Sequence, residues 1–234
     1  MTLLSRLLRK PPALDEEPKR RLRAWQALPE PDLTEPLDQT RLVVVDVEST
    51  GLDIRRDQLI AIGAVAVQAG RIALADSFEV ILRQEEVSDR DNILVHGIGG
   101  QMQREGLPPA QALLDFLDYL GKSPLVAYHA VFDATMIRRA MTEHLGIACK
   151  RPWLDLAYVM PALLPGLASS HKALDDWTAL FGITNYARHS ALADALATAQ
   201  LLLAALPLAM ARKLANYKAL QTHEKAERWL NRAY

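Results

Sequence analysis

The chain has 234 residues, half of them hydrophobic, enough for one domain with a sizeable core and appendages. Lys and Arg total 27 against 28 Asp and Glu, which excludes a global basic field, so any nucleic-acid contact must come from local patches. The lone Cys149 excludes an internal disulfide and a multi-cysteine zinc site and fits a reducing compartment.

Residues 1–40 read as an arm. Helical patterns at Leu3 to Arg9 and Pro18 to Leu28 are separated by Pro11-Pro12, and "PEPDLTEP", Pro29 to Pro36, follows as an extended linker. Ser5, Arg6 and Arg9 interrupt the leucines at 3, 4, 7 and 8, so no secretory apolar core is expected at the start. No other stretch approaches the roughly 18 uninterrupted apolar residues of a membrane span, and a soluble, cytoplasmic protein without membrane contacts is expected. Lys19, Arg20, Arg21 and Arg23 cluster beside Trp25. That cluster suits contact with nucleic acid or a partner, but a solvated helix packing Leu22 and Trp25 on the domain is favoured.

From Arg41 the pattern changes. "LVVVDVESTG", Leu42 to Gly51, reads as a buried strand over 41–47 that ends by pushing out Asp46 and Glu48, two residues apart and therefore on one face. Further strands are predicted at 59–67 and 72–82, and the short turns suggest an antiparallel meander. A polar loop (83–107) leads to a helix at 110–120, a strand at 123–129, a helix at 132–145 and a short strand at 153–156. Helices near 157–163, 171–181 and 191–206 follow, then a charged amphipathic helix at 208–232. Three antiparallel strands, then strands alternating with helices, predict an α/β domain with a mixed sheet and helices on its faces. In such sheets the site lies at strand ends, where Asp46 and Glu48 already stand.

Two like charges sharing a partly buried place need something positive, and a divalent cation serves best. Two further acids could share that place. Asp133 falls in the first turn of the helix after the strand at 123–129, a position that the helix dipole alone also favours. Asp194 lies among Ala191, Ala193, Ala195 and Ala197, where a helix pressed close to a sheet gives a solvated acid no reason to be. His189 precedes that helix and can accept a proton near neutral pH.

Acid-x-acid at a strand end, Asp at a helix start, then His-x-x-x-x-Asp resembles the DEDDh family of 3'-to-5' exonucleases, to which the epsilon proofreading subunit of bacterial DNA polymerase III belongs. "DVESTGLD", "HAVFDATMI" and "RHSALADALATA" carry the resemblance in order and spacing, over about Arg41 to Leu206. It implies a ribonuclease H-like fold, with a catalytic domain at 41–206 between the arm (1–40) and a basic amphipathic C-terminal helix (207–234). Asp46, Glu48, Asp133 and Asp194 would hold two Mg²⁺ or Mn²⁺ ions, and His189 would be the base. Ser49, Thr50, Gly51, Leu52, His96 and Phe132 would receive the terminal nucleotide, with Leu52 wedging against its base; loop packing stays open for Leu52 and His96. The implied activity is release of 5'-mononucleotides from single-stranded DNA 3' ends. RNA 3'-end trimming, or a nuclease fold kept as a binding subunit of a polymerase assembly, stand as alternatives, with a polymerase or other partner meeting the terminal arms. Three positions depart from the family pattern: Ala61 where Glu is common, and Tyr128-His129 where a His-Asn pair is usual.

Overall fold

The computed structural model describes residues 13–230, so the helix expected at Leu3 to Arg9 lies outside the described residues. A first helix, α1 (Glu16–Ala27), leads through the linker to β1 (Leu42–Ser49), β2 (Leu59–Gln68) and β3 (Arg71–Ile81). Then come α2 (Arg90–His96), α3 (Gly100–Glu105), α4 (Pro109–Leu120), β4 (Leu125–Ala127), α5 (Val131–Leu145), β5 (Trp153–Asp155) and α6 (Leu156–Leu163). The chain closes with α7 (Leu174–Leu180), α8 (Ala191–Ala211) and α9 (Tyr217–Leu230). The sheet order is β3-β2-β1-β4-β5: the first three strands are antiparallel, while β4 and β5 run parallel to β1. This is the expected mixed sheet.

The alternation of β1 sorts its residues between two cores. Val43, Val45 and Val47 pack with Leu113, Leu117, Met136 and Ile137 of α4 and α5, and with Leu22 and Trp25 of α1. Leu42 and Val44 pack on the opposite face with Val159 and Met160 of α6, Leu201 and Leu202 of α8, and Tyr217 and Leu220 of α9. Each such fully buried aliphatic side chain contributes about 1.5–3 kcal/mol, so β1 is covered on both sides because both sides are needed.

Two elements differ from their sequence reading. The loop expected at 83–107 holds the short helices α2 and α3. The helix expected to end at 206 runs to Ala211, because Pro207 sits on an exposed side where a lost hydrogen bond is tolerated; the last helix begins only at Tyr217. By length and composition α8 is apolar enough to cross a membrane, although Asp194, Thr198 and Gln200 interrupt it, and over half of its apolar window is buried inside the fold, as in a core helix.

Helices α1 and α9, on either side of the domain in sequence, are tied to it. Trp25 is 7% exposed and donates Nε1–H to Gly121 O at 2.6 Å, while Arg21 pairs with Asp115 and Asp118 of α4. Of the basic cluster, Arg21 is thus committed to the domain. At the other end, Tyr217 Oη donates to Leu125 O at 3.0 Å, and Arg228 reaches Asp155 at 3.1 Å.

Candidate active site

The site forms where β1 outruns its cover. Asp46 and Glu48 continue the Leu42–Val44 face, the one that α8 covers. Opposite Asp46 in the register stands Gly63, where a Cβ would lie 2.1 Å from the Ala191 carbonyl carbon. Only glycine therefore lets the start of α8 lie against β2. This close approach sets Asp194, in the first turns of α8, beside the β1 acids: one carboxylate oxygen from each of Asp46, Glu48 and Asp194 lies within 4.8 Å of the others. Asp133, in the first turn of α5, comes over the strand end from the other face, 4% exposed. It is outside that triad, yet its charge acts on both Asp46 and Glu48.

Burial and the neighbouring carboxylates hold Asp46 and Glu48 against ionisation. Burial first, then the charges of Asp133, Asp194 and Glu48, push Asp46 well above the ordinary carboxylate range; Arg188 opposes them. Burial and the charges of Asp194 and Asp133 push Glu48 up to about 8, again against Arg188. Burial raises Asp133 to about 8, although the backbone N–H groups of Asp133 and Val47 pull it down. A set of carboxylate oxygens alone, crowded enough to resist ionising, fits a hard divalent cation, whose charge would reverse the repulsion.

Asp194 is 3% exposed and fully engaged. Its Oδ1 accepts from Asn185 Nδ2, and its Oδ2 accepts from Arg188 Nη1 at 2.8 Å and from the His189 N–H at 2.9 Å. His189 is exposed at the mouth, its backbone left-handed at φ +64°.

The loop after β1 is braced from within. Ser49 Oγ donates to Gly51 O at 2.6 Å, and Thr50 N–H donates to Gln58 O. Arg139 of α5 holds Ile54 O and Asp57 O. Leu52 projects at 87% exposure, while Phe132 is half-buried against the α4–α5 core. His96 is only 6% exposed: its Nδ1 accepts from Ile98 N–H at 2.9 Å, so its Nε2–H donates to Asn92 Oδ1 at 2.8 Å. Asn92 in turn donates to Ser49 O at 3.0 Å, so His96 reaches the β1 end through Asn92.

Two of the three departures from the family pattern, Ala61 and His129, have a local setting that bears on them. Ala61 pairs with Glu48 in the register and packs beside Ile60, Ile98 and Ala191; a Glu there would set a fifth carboxylate opposite Glu48. His129 takes φ +62°, a conformation that His and Asn tolerate better than most side chains, and its N–H donates to Asp155 Oδ1 at 2.9 Å. Asp155 is a residue that sequence reasoning missed. It is 1% exposed, its charge raises Asp133, and Arg228 pairs with it. The signal was present in "WLDL": a third acid at the end of a predicted strand.

Residues 43–202 match the protein family described as Exonuclease. A DNA polymerase III PolC-type protein of Thermotoga petrophila is 31% identical over 166 residues, which are 71% of this chain and 12% of that protein. A DNA polymerase III subunit epsilon-like protein of Rhodobacter capsulatus is 33% identical over 190 residues, covering 80% of this chain and 27% of that one. The chain thus matches about a tenth to a quarter of the length of these relatives. Among solved structures, E. coli Exonuclease I in complex with a dT13 oligonucleotide superposes with a TM-score of 0.61 at 18% identity, over 75% of this chain and 42% of that one. Cell-death related nuclease 4 superposes with a TM-score of 0.64 at 14% identity, over 73% of this chain and 65% of that one. With a family match spanning most of the chain, and with the fold and the order of acids that the DEDDh resemblance implied, the protein belongs to the exonuclease family.

Proposed function

We propose that the chain is a metal-dependent 3'-to-5' exonuclease that releases 5'-mononucleotides from single-stranded DNA ends. The observation that carries this reading is the convergence of Asp46, Glu48 and Asp194 within 4.8 Å, with the buried Asp133 acting on the same place. Asp46, Glu48, Asp133 and Asp194 would hold two Mg²⁺ or Mn²⁺ ions. Bound there, such ions would supply positive charge at the scissile phosphate and acidify the attacking water.

The chain's own residues do the rest. His189, exposed at the mouth beside Asp194, takes the proton from the attacking water. The backbone of Ser49 to Gly51, held by its internal hydrogen bonds, and the half-buried Phe132 form the floor for the terminal nucleotide. Leu52 is free to meet its base, and His96 supports the floor through Asn92 and Ser49. The catalytic domain is taken as 41–206, with α1 of the arm and α9 of the C-terminal segment packed on it.

Single-stranded DNA is favoured because the oligonucleotide in a structural neighbour is a DNA strand and the relatives are named for DNA polymerase III. Those names also support a place beside a polymerase. A blocked-end experiment tests direction and sugar together. Matched DNA and RNA strands carry phosphorothioate linkages at either the 3' or the 5' terminus. Protection by the 3' block alone, with DNA degraded faster than RNA, is expected; protection by the 5' block alone overturns the direction, and faster loss of RNA overturns the substrate.

A further inference from the structure

We propose that Arg188 is a positioning residue: it shares Asp194 with the bound cation and, through that carboxylate, fixes where His189 stands. The inference rests on the metal-dependent reading above and adds a residue to it.

The geometry is that of a hook. Asp194 Oδ2 accepts from two consecutive residues of the α7–α8 loop, the Arg188 guanidinium at 2.8 Å and the His189 N–H at 2.9 Å, while Asn185 holds Oδ1. Arg188 is fixed from behind, its Nε donating to Asp175 Oδ1 on α7 at 2.8 Å. A guanidinium spanning two carboxylates loses its freedom to both, and its planar fork holds direction as well as charge. His189 needs that hold. Its left-handed backbone, φ +64°, is sparsely populated by side-chain-bearing residues and persists only where its surroundings impose it. Without the guanidinium, one backbone N–H is left to carry the turn at Oδ2.

The same contact bears on the cation. Arg188 sets its guanidinium 2.8 Å from Asp194, one of the three carboxylates that converge within 4.8 Å. It thus does in part what a divalent ion does fully, and the two compete for the negative charge of one site. Arg188 therefore trades cation affinity for placement of the base. Its replacement has effects of opposite sign on two measurements, which a merely structural residue would not produce.

The test uses the full chain as wild type, Arg188→Gln, Arg188→Lys, His189→Ala and the Arg188→Gln/His189→Ala double variant. Mn²⁺ binding is read by titration calorimetry without substrate, and steady-state cleavage is read on single-stranded DNA. The Arg188 side chain is 38% exposed, so its truncation leaves no core cavity, and thermal melts check the fold of each variant. Arg188→Gln is expected to bind Mn²⁺ roughly fivefold tighter, as loss of one partly exposed ion pair allows. Its kcat should fall roughly tenfold to a hundredfold with KM little changed, the cost of a misplaced base. In the His189→Ala background the same substitution should change kcat by less than about twofold, because the group it positions is gone. Arg188→Lys, which keeps the charge and loses the fork, should restore the Mn²⁺ affinity of the wild type but only part of kcat. Unchanged or weaker Mn²⁺ binding by Arg188→Gln, or a kcat loss that persists in full without His189, overturns the proposal while leaving the metal site standing. A wild-type protein that binds no Mn²⁺ overturns the metal-dependent reading itself, and this inference with it.

Discussion

Replacing Glu48 by Gln should stabilise the metal-free protein, and by an amount that grows with pH. The folded protein holds Glu48 at about 8 against an ordinary 4.5, because burial and the charges of Asp194 and Asp133 oppose its ionisation. The sign follows from proton linkage. Between these two values the unfolded chain has released its proton and the folded chain has not, so stability falls as pH rises, by about 1.4 kcal/mol per pH unit, and levels off above about pH 8. Over the whole interval this amounts to roughly 5 kcal/mol. Rearrangement and solvent at a half-buried group reduce it, so a gain of roughly 2–4 kcal/mol is expected for Glu48→Gln at about pH 9, near zero at about pH 4.5. For a domain of this size each kcal/mol moves the melting temperature by about 2–4 °C. The assay is thermal melting of wild type and variant in chelator at both pH values, repeated in excess Mg²⁺. The metal should raise the wild type most at high pH and the variant least, since a ligand that binds only the folded state stabilises in proportion to its occupancy. A variant no more stable than wild type at high pH in chelator would refute the reasoning, because Glu48 would then carry no cost for the metal to relieve.

Asp133→Asn and Asp194→Asn should each abolish cleavage while leaving a cooperative melt, since both remove a ligand charge and keep the side-chain shape. His189→Ala should keep Mn²⁺ affinity, read by calorimetry, and slow cleavage by roughly 10² to 10⁴. Gly63→Ala should cost roughly 1–3 kcal/mol and most of the activity, because a methyl 2.1 Å from the Ala191 carbonyl carbon must push α8, and Asp194 with it, away from Asp46. A Gly63→Ala protein with full activity and stability would contradict the close approach that builds the site.

What could be read from the sequence was whatever one strong local pattern dictates. The aliphatic run of β1, the two acids that end it and the alanine-flanked Asp194 each announce themselves, because burial on two faces and a close helix–sheet approach leave few residue types to choose from. The break between α8 and α9 was misplaced because the residue that looks like a stop, Pro207, is tolerated in place, while Lys213 makes the actual turn at φ +62° without a glycine. Helices α2 and α3 have seven and six residues, too few for a periodic signal, so the sequence predicts only a polar loop over 83–107. The support role of His96 depends on Asn92 and Ser49, a chain of contacts that crosses 43 positions of sequence. Asp155 has a local signal, an acid at the end of a predicted strand, but its pairing with Arg228 spans 73 residues. Contacts of that range belong to the tertiary structure.

The measurement that tests the central claim most directly is a time course on 5'-labelled single-stranded DNA with Mg²⁺, Mn²⁺ or chelator, resolved to single nucleotides, for wild type and Asp194→Asn. A ladder that shortens from the 3' end only with metal, and only in the wild type, is the predicted result. Equal ladders with and without chelator, or an active Asp194→Asn protein, would contradict the account of Asp46, Glu48, Asp133 and Asp194 as one metal-holding catalytic set.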